Sequence, residues 1–153
     1  MSRRTLTLFA FAAALAGCQA EPKASVKEYM AGDVQPTAEI YWNAVQFISD
    51  EQGDHDIFPR NHAEWENVRQ AAVRLGEMGA ELKEPKYAEG RGAAWIDFAD
   101  GLIEVSAQAE KAAADKNTEA VFEVGGTVYS VCSACHQAYP PADAPAEGGN
   151  EAG

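Results

Sequence analysis

The sequence predicts an all-α protein, an antiparallel four-helix bundle, and three observations carry that expectation. Apolar residues recur at three- and four-residue spacing in four separate segments. Breaks bearing Gly or Pro separate those segments. No stretch alternates with period two over strand length, and no Asn-Gly or Asp-Gly turn joins two alternating runs. Amphipathic helices with modest connections bury their stripes against one another. At 153 residues the chain is long enough for one domain with a sizeable core, and too short for two comfortable ones.

The N-terminus reads as a processing signal. Arg3 and Arg4 form a short positive region, and the apolar run at 6–16 is too short to span a bilayer. It ends Leu15, Ala16, Gly17, Cys18, which resembles the lipobox of a bacterial lipoprotein. That resemblance implies a signal peptide at 1–17 and a lipid anchor on Cys18. Gln19, in place of an aspartate, implies the outer rather than the inner membrane of the periplasm. An ordinary cleaved secretory signal is the alternative, and it too puts the protein outside the cytoplasm. Residues 18–25 read as a polar tether.

The first helix is expected over residues 26–50, with Ile40, Ala44 and Phe47 repeating beside Tyr41, Val45 and Ile48. Pro36 either kinks it or sits in the first turn of a second helix. Asn61 caps the next, with Glu64 three positions on as in a capping box. Trp65, Val68, Ala72, Leu75, Gly79 and Leu82 form its stripe, Pro85 stops it, and a polar loop runs to Gly92. The third helix carries Trp95, Phe98, Ala99, Leu102, Ile103 and Ser106. Asn117 caps the fourth, where Val121, Val124, Val128, Val131 or Cys132, and Cys135 share a face. Gly125 and Gly126 interrupt this helix at about 1 kcal/mol each relative to alanine, so close approach of a helix or a cofactor is expected there. Residues 140–153 are Pro, Ala, Gly, Asp and Glu with little else, a composition that predicts a disordered tail.

The formal net charge is -12, which excludes nucleic acid as a partner because its phosphates would be repelled. It suits a partner with a basic docking surface. Loss of the first 17 residues removes two of the 12 bases and none of the 24 acids, so the remainder is more acidic still.

Cys132, Cys135 and His136 are the strongest chemical signal. Three- and four-residue spacing on a helix puts both thiols and the imidazole on one side, where they can meet a single flat macrocycle. Cys-x-x-Cys-His is the attachment sequence of c-type haem: two thioethers hold the ring and the histidine ligates the iron. Structural zinc would need a second pair of ligands, and His55 and His62 lie far upstream. A thioredoxin-like pair would need a strand–helix context, and a disulfide within one helical turn has poor geometry. Export agrees with haem, since c-type attachment occurs outside the bacterial cytoplasm. His55, between Asp54 and Asp56, and His62 read as solvated; Trp42, Trp65 and Trp95 read as core.

With the motif near the C-terminus, four predicted helices and an export signal, residues 26–139 resemble the cytochrome c prime family, the class II c-type cytochromes. The resemblance implies one covalent haem c on the last helix of a four-helix bundle. In that family a first-helix residue faces the distal side of the iron, and Met30 lies at the matching distance from Cys132, so it is the candidate sixth ligand. Met78 is the weaker alternative. A ligating methionine implies single-electron transfer; an open iron implies binding of small gases such as nitric oxide or carbon monoxide. The family's cation after the final aromatic is absent, as Pro140 follows Tyr139. Family members often dimerise through their first two helices, so a homodimer is a further expectation. No catalytic acid–base pair or phosphate loop stands out, and an enzyme is not expected.

Overall fold

A computed structural model describes residues 25–141, and these residues are mostly helical, with one small two-stranded sheet. The signal segment, Cys18, all of the tether except Ser25, and the tail beyond residue 141 lie outside the described residues. In chain order the elements are α1 (Val26–Tyr29), a π-helical turn (Met30–Val34), α2 (Gln35–Trp42), β1 (Gln46–Asp50), β2 (Gly53–Ile57), α3 (His62–Leu82), α4 (Pro85–Ala88), α5 (Ala93–Ala114) and α6 (Thr118–Ala138).

Caps explain where the helices begin. Ser25 Oγ accepts the Glu28 amide at 3.2 Å while Glu28 accepts the Ser25 amide at 2.7 Å, a complete capping box. Asn61 Oδ1 accepts the Glu64 amide at 3.0 Å, as expected. The Glu64 carboxylate, however, takes the amide of Arg60 and the side chain of Asn61 rather than the Asn61 amide. Asn117 Oδ1 accepts the Ala120 amide at 3.0 Å.

Of the two expectations for Pro36 the second holds, since it sits in the first turn of α2. The helix passes through the proline, and the turn before it is widened: the Gln35 amide bonds the Met30 carbonyl, five residues back. Proline lacks an amide proton and its ring crowds the carbonyl four residues earlier, here Gly32. A π turn relieves that crowding without ending the helix.

The expected continuation of this helix to residue 50 is corrected. It stops at Trp42, and Gln46–Asp50 pairs antiparallel with Gly53–Ile57 in a hairpin that puts Phe47 opposite Asp56 and Ile48 opposite His55. Gly53 turns the chain at φ +108°, where a side chain would be strained. Ile40 and Phe47 are exposed, and the buried side is Ala38, Tyr41 and Val45. The loop after α3 also differs from expectation: Pro85 opens the one-turn helix α4, whose Tyr87 is buried and stacks on Tyr29 at 4.9 Å.

Helices α3 and α5 run antiparallel. Trp95, early in α5, donates Nε1 to the Leu82 carbonyl at the end of α3 (2.7 Å), while Arg69 and Glu110 pair at the opposite ends (2.6 Å). Helix α6 lies against α5 and also touches α2, where Trp42 Nε1 donates to the Gly125 carbonyl at 3.0 Å. Tyr29 reaches α3 through its hydroxyl, which donates to Glu81 at 2.6 Å. The buried side chains form two clusters: one around Leu75, Met78, Trp95 and Leu102, the other around Tyr41, Trp65, Ala72 and Val121.

The glycines separate into two kinds. A methyl group on Gly79 would meet Ile103 Cγ1 at 2.8 Å and the Ala99 carbonyl oxygen at 3.0 Å, so α3 and α5 touch through its missing side chain. At Gly125 it would find Trp42 and Tyr41 at ordinary contact distance, and at Gly126 only open space. A neighbouring helix therefore touches Gly125, at a distance that leaves room for a side chain, and nothing lies over Gly126. Gly79→Ala is predicted to destabilise the fold by about 1–3 kcal/mol through overpacking. Gly126→Ala is predicted to stabilise it by about 0.5–1 kcal/mol through helix propensity. Urea denaturation of the two variants measures both, and equal effects would contradict the distinction.

Candidate functional site

The last helix holds Cys132, Cys135 and His136 because nothing breaks it before Ala138. Its final turn is closed by the Tyr139 amide on the Cys135 carbonyl at 2.8 Å. Tyr139 is itself fixed: its ring meets Trp95 edge-on at 5.1 Å and Phe98 at 6.3 Å, and its hydroxyl donates to the Arg91 carbonyl at 2.8 Å. The end of α6 is thereby tied to the start of α5.

Between these helices and the first one lies a small cavity of about 80 Å³. Cys132, Cys135 and His136 line it from α6, Trp95, Phe98 and Leu102 from α5, and Met30, Gln35, Ala38 and Trp42 from the first helical stretch. A wider cleft of about 660 Å³ continues it toward solvent, sharing Met30, Gln35, Trp95, Cys135 and His136 and adding Lys27, Arg91 and Tyr139.

The π turn decides which first-helix residues reach this space. Residues five apart on an α-helix lie roughly 140° apart around the axis, yet Met30 and Gln35 both line the cavity and the cleft. The wider turn brings position i+5 back over position i. Met30 therefore lies on the same side as Ala38 and Trp42, which follow Gln35 at three and seven residues.

The chemistry of the donors suits covalent capture of a flat ring. Cys132 and Cys135 are half-buried and free. Burial pushes the Cys132 thiol up to about 11, with the neighbouring Cys135 adding to the shift. Burial raises Cys135 as well, opposed by the Arg91 charge. Both shifts favour the protonated thiol. The His136 imidazole is exposed and makes no hydrogen bond or ion pair with other described residues, so its nitrogens are open to a ligand. No three His, Cys, Asp or Glu side chains among the described residues gather where they could hold one metal ion, and the four-donor arrangement of structural zinc is not assembled there.

Other candidates fall elsewhere. Met78 belongs to the α3 core at 2% exposure and does not line the cavity. It follows Leu75 by three residues and precedes Leu82 by four, so it lies on the stripe from which the sequence reading had left it out. Trp42 and Trp95 line the cavity, whereas Trp65 packs in the other cluster. His55 is on the hairpin, 3.8 Å from Asp50, and His62 begins α3. Sequence reasoning overlooked Gln35 and Arg91 and took Phe98 only as core. The available signal for Arg91 was its place between Gly90 and Gly92, both at positive φ (+79° and +83°).

Comparison with family models, curated proteins and solved structures gives no match to this chain.

Because the Cys132 sulfur reacts as thiolate, its alkylation in protein lacking haem is predicted to be slow at neutral pH. The rate should rise about tenfold per pH unit until the pH approaches 11. Mass spectrometry of iodoacetamide adducts measures it, and a plateau near pH 8–9 would show that burial does not protect this sulfur.

Proposed function

We propose that the chain is an exported c-type cytochrome of the class II kind. It would carry one covalent haem c in an antiparallel four-helix bundle and pass single electrons in the bacterial cell envelope. The observation that carries this reading is that two cysteines, a histidine and a methionine from opposite ends of the described chain line a single, mostly apolar cavity. The four helical stretches of the bundle are α1 to α2 taken together, α3, α5 and α6.

In this reading Cys132 and Cys135 hold the ring by thioether bonds. Each S–H would add across one vinyl double bond, sulfur to one carbon and hydrogen to the other, with no oxidant consumed. His136 would offer the iron an imidazole nitrogen, and Met30 would offer it a sulfur. Bound haem supplies the ferric–ferrous couple. Trp95, Phe98, Leu102 and Val131 exclude water around it, and burial of this kind is one of the levers that set a haem's potential.

Localisation and partners follow the same proposal. Cys18 would carry the lipid that attaches the protein to the periplasmic side, outer membrane in preference to inner. No helix among the described residues is long and apolar enough to cross a membrane, so the anchor would be the membrane contact. The acidic surface suits a redox partner with a basic docking face, and self-association as a homodimer belongs to the same family reading. Binding of nitric oxide or carbon monoxide at an open iron is the alternative that the test below separates.

Protein matured with c-type haem assembly is predicted to give a pyridine haemochrome spectrum for one haem per chain, and Cys132→Ala with Cys135→Ala none. A sulfur-to-iron charge-transfer band is expected in the ferric protein and should vanish in Met30→Ala. A high-spin spectrum that shifts with carbon monoxide in the unsubstituted reduced protein would transfer the reading to gas binding. Colourless protein with both sulfurs alkylatable would remove the haem altogether.

A further inference from the structure

Among the described residues, Arg91 is a fixed cation without a carboxylate partner. The other arginines that reach toward the core's edge are neutralised: Arg69 by Glu66 and Glu110, Arg74 by Glu77 and Glu81. In a chain with 24 acids against 12 bases, Arg91 has no carboxylate partner among the described residues. Its position is nonetheless built. The guanidinium stacks over Trp95 at 4.4 Å from the ring centroid, Nε donates to the Tyr87 carbonyl at 2.8 Å, and the Arg91 carbonyl accepts the Tyr139 hydroxyl at 2.8 Å. Gly90 and Gly92, both at positive φ, bend the loop on either side. These contacts engage Nε and the ring face and leave the two terminal nitrogens, the pair that binds a carboxylate in fork geometry, uncommitted.

The side chain lines the outer cleft, which opens from the cavity holding Cys135 and His136. Among the described residues, the titratable groups facing that cleft are Lys27, Arg91, Cys135, His136 and Tyr139, none of them a carboxylate. The inner cavity is mostly apolar, and the outer cleft adds the Arg91 cation to a lining that is also largely apolar. A ligand matching both has a flat apolar body and an acidic edge.

We propose that Arg91 is the anchor for a carboxylate at the mouth of the cavity, and that this carboxylate is a propionate of the haem. The assignment rests on the haem reading above and adds to it which edge of the ring faces solvent and which residue holds that edge. Trp95 serves twice, covering the ring's apolar part and supporting the cation that meets its acid.

The test is ¹³C NMR of reduced holoprotein whose haem carboxyls are isotopically labelled, titrated with acid. At least one carboxyl is expected to titrate below the ordinary carboxylate range. Its midpoint should rise by about one pH unit in Arg91→Gln, as expected when a cation is removed from beside an acid. It should rise less in Arg91→Lys and stay unchanged in Arg60→Gln, a site at the other end of α3. Identical midpoints in unsubstituted protein and Arg91→Gln overturn the assignment while leaving the haem reading intact. Should Arg91→Gln not take up haem, the unsubstituted protein still decides, since carboxyls that both titrate at or above the ordinary range overturn it. Unsubstituted protein without haem removes the proposed function and this inference together.

Discussion

Cys132, Cys135 and His136 can address one object only while α6 stays helical to its last turn. That turn is also where a helix would fray, because its final carbonyls have no partners within the helix. The structure holds it by aromatic packing. Tyr139 closes the turn, wedges against Trp95 and Phe98, and bonds the loop before α5, while Trp95 bonds the end of α3. One chain of contacts thus links the C-terminal ends of α3 and α6 to the N-terminal end of α5. The cavity exists where these ends meet the first helix.

A second constraint comes from Pro36. In a regular α-helix the proline would crowd the carbonyl of Gly32 and interrupt the hydrogen-bond ladder. The π turn at Met30–Val34 accommodates it, and the change of phase that follows has a chemical consequence. Met30 and Gln35 come to the same side, so a methionine faces the two cysteines and the histidine. Tyr29, one residue earlier, is turned instead toward Glu81 and Tyr87, which fixes the rotation of the short α1 segment.

The molecule divides along its length into a half that carries the site and a half that carries packing alone. The cluster around Leu75, Trp95 and Leu102 borders the cavity, and the cluster around Tyr41, Trp65 and Val121 supports the hairpin. Trp42 and Val124, which pack against both clusters, join the two halves. The surface ion pairs that decorate this frame are mostly exposed and contribute little each. Arg91 stands apart from them because its carbonyl, its Nε and its ring face are all engaged while its terminal nitrogens are not.

Helix positions in α3, α5 and α6 and the Cys132–Cys135–His136 motif were legible in the sequence, because caps, periodicity and i,i+3/i+4 spacing are local properties. The hairpin was not. Every residue of β2 is exposed, so no buried face imposed the alternation by which strands are recognised. Local spacing to Leu75 and Leu82 places Met78 in the core, whereas Met30 lines the cavity because of the phase that the π turn sets. The sequence by itself determined which residues could bind and where the helices run. Tertiary structure decided which of them meet, since the π turn's phase, the Tyr139 wedge and the orientation of Arg91 depend on contacts between residues far apart in the chain.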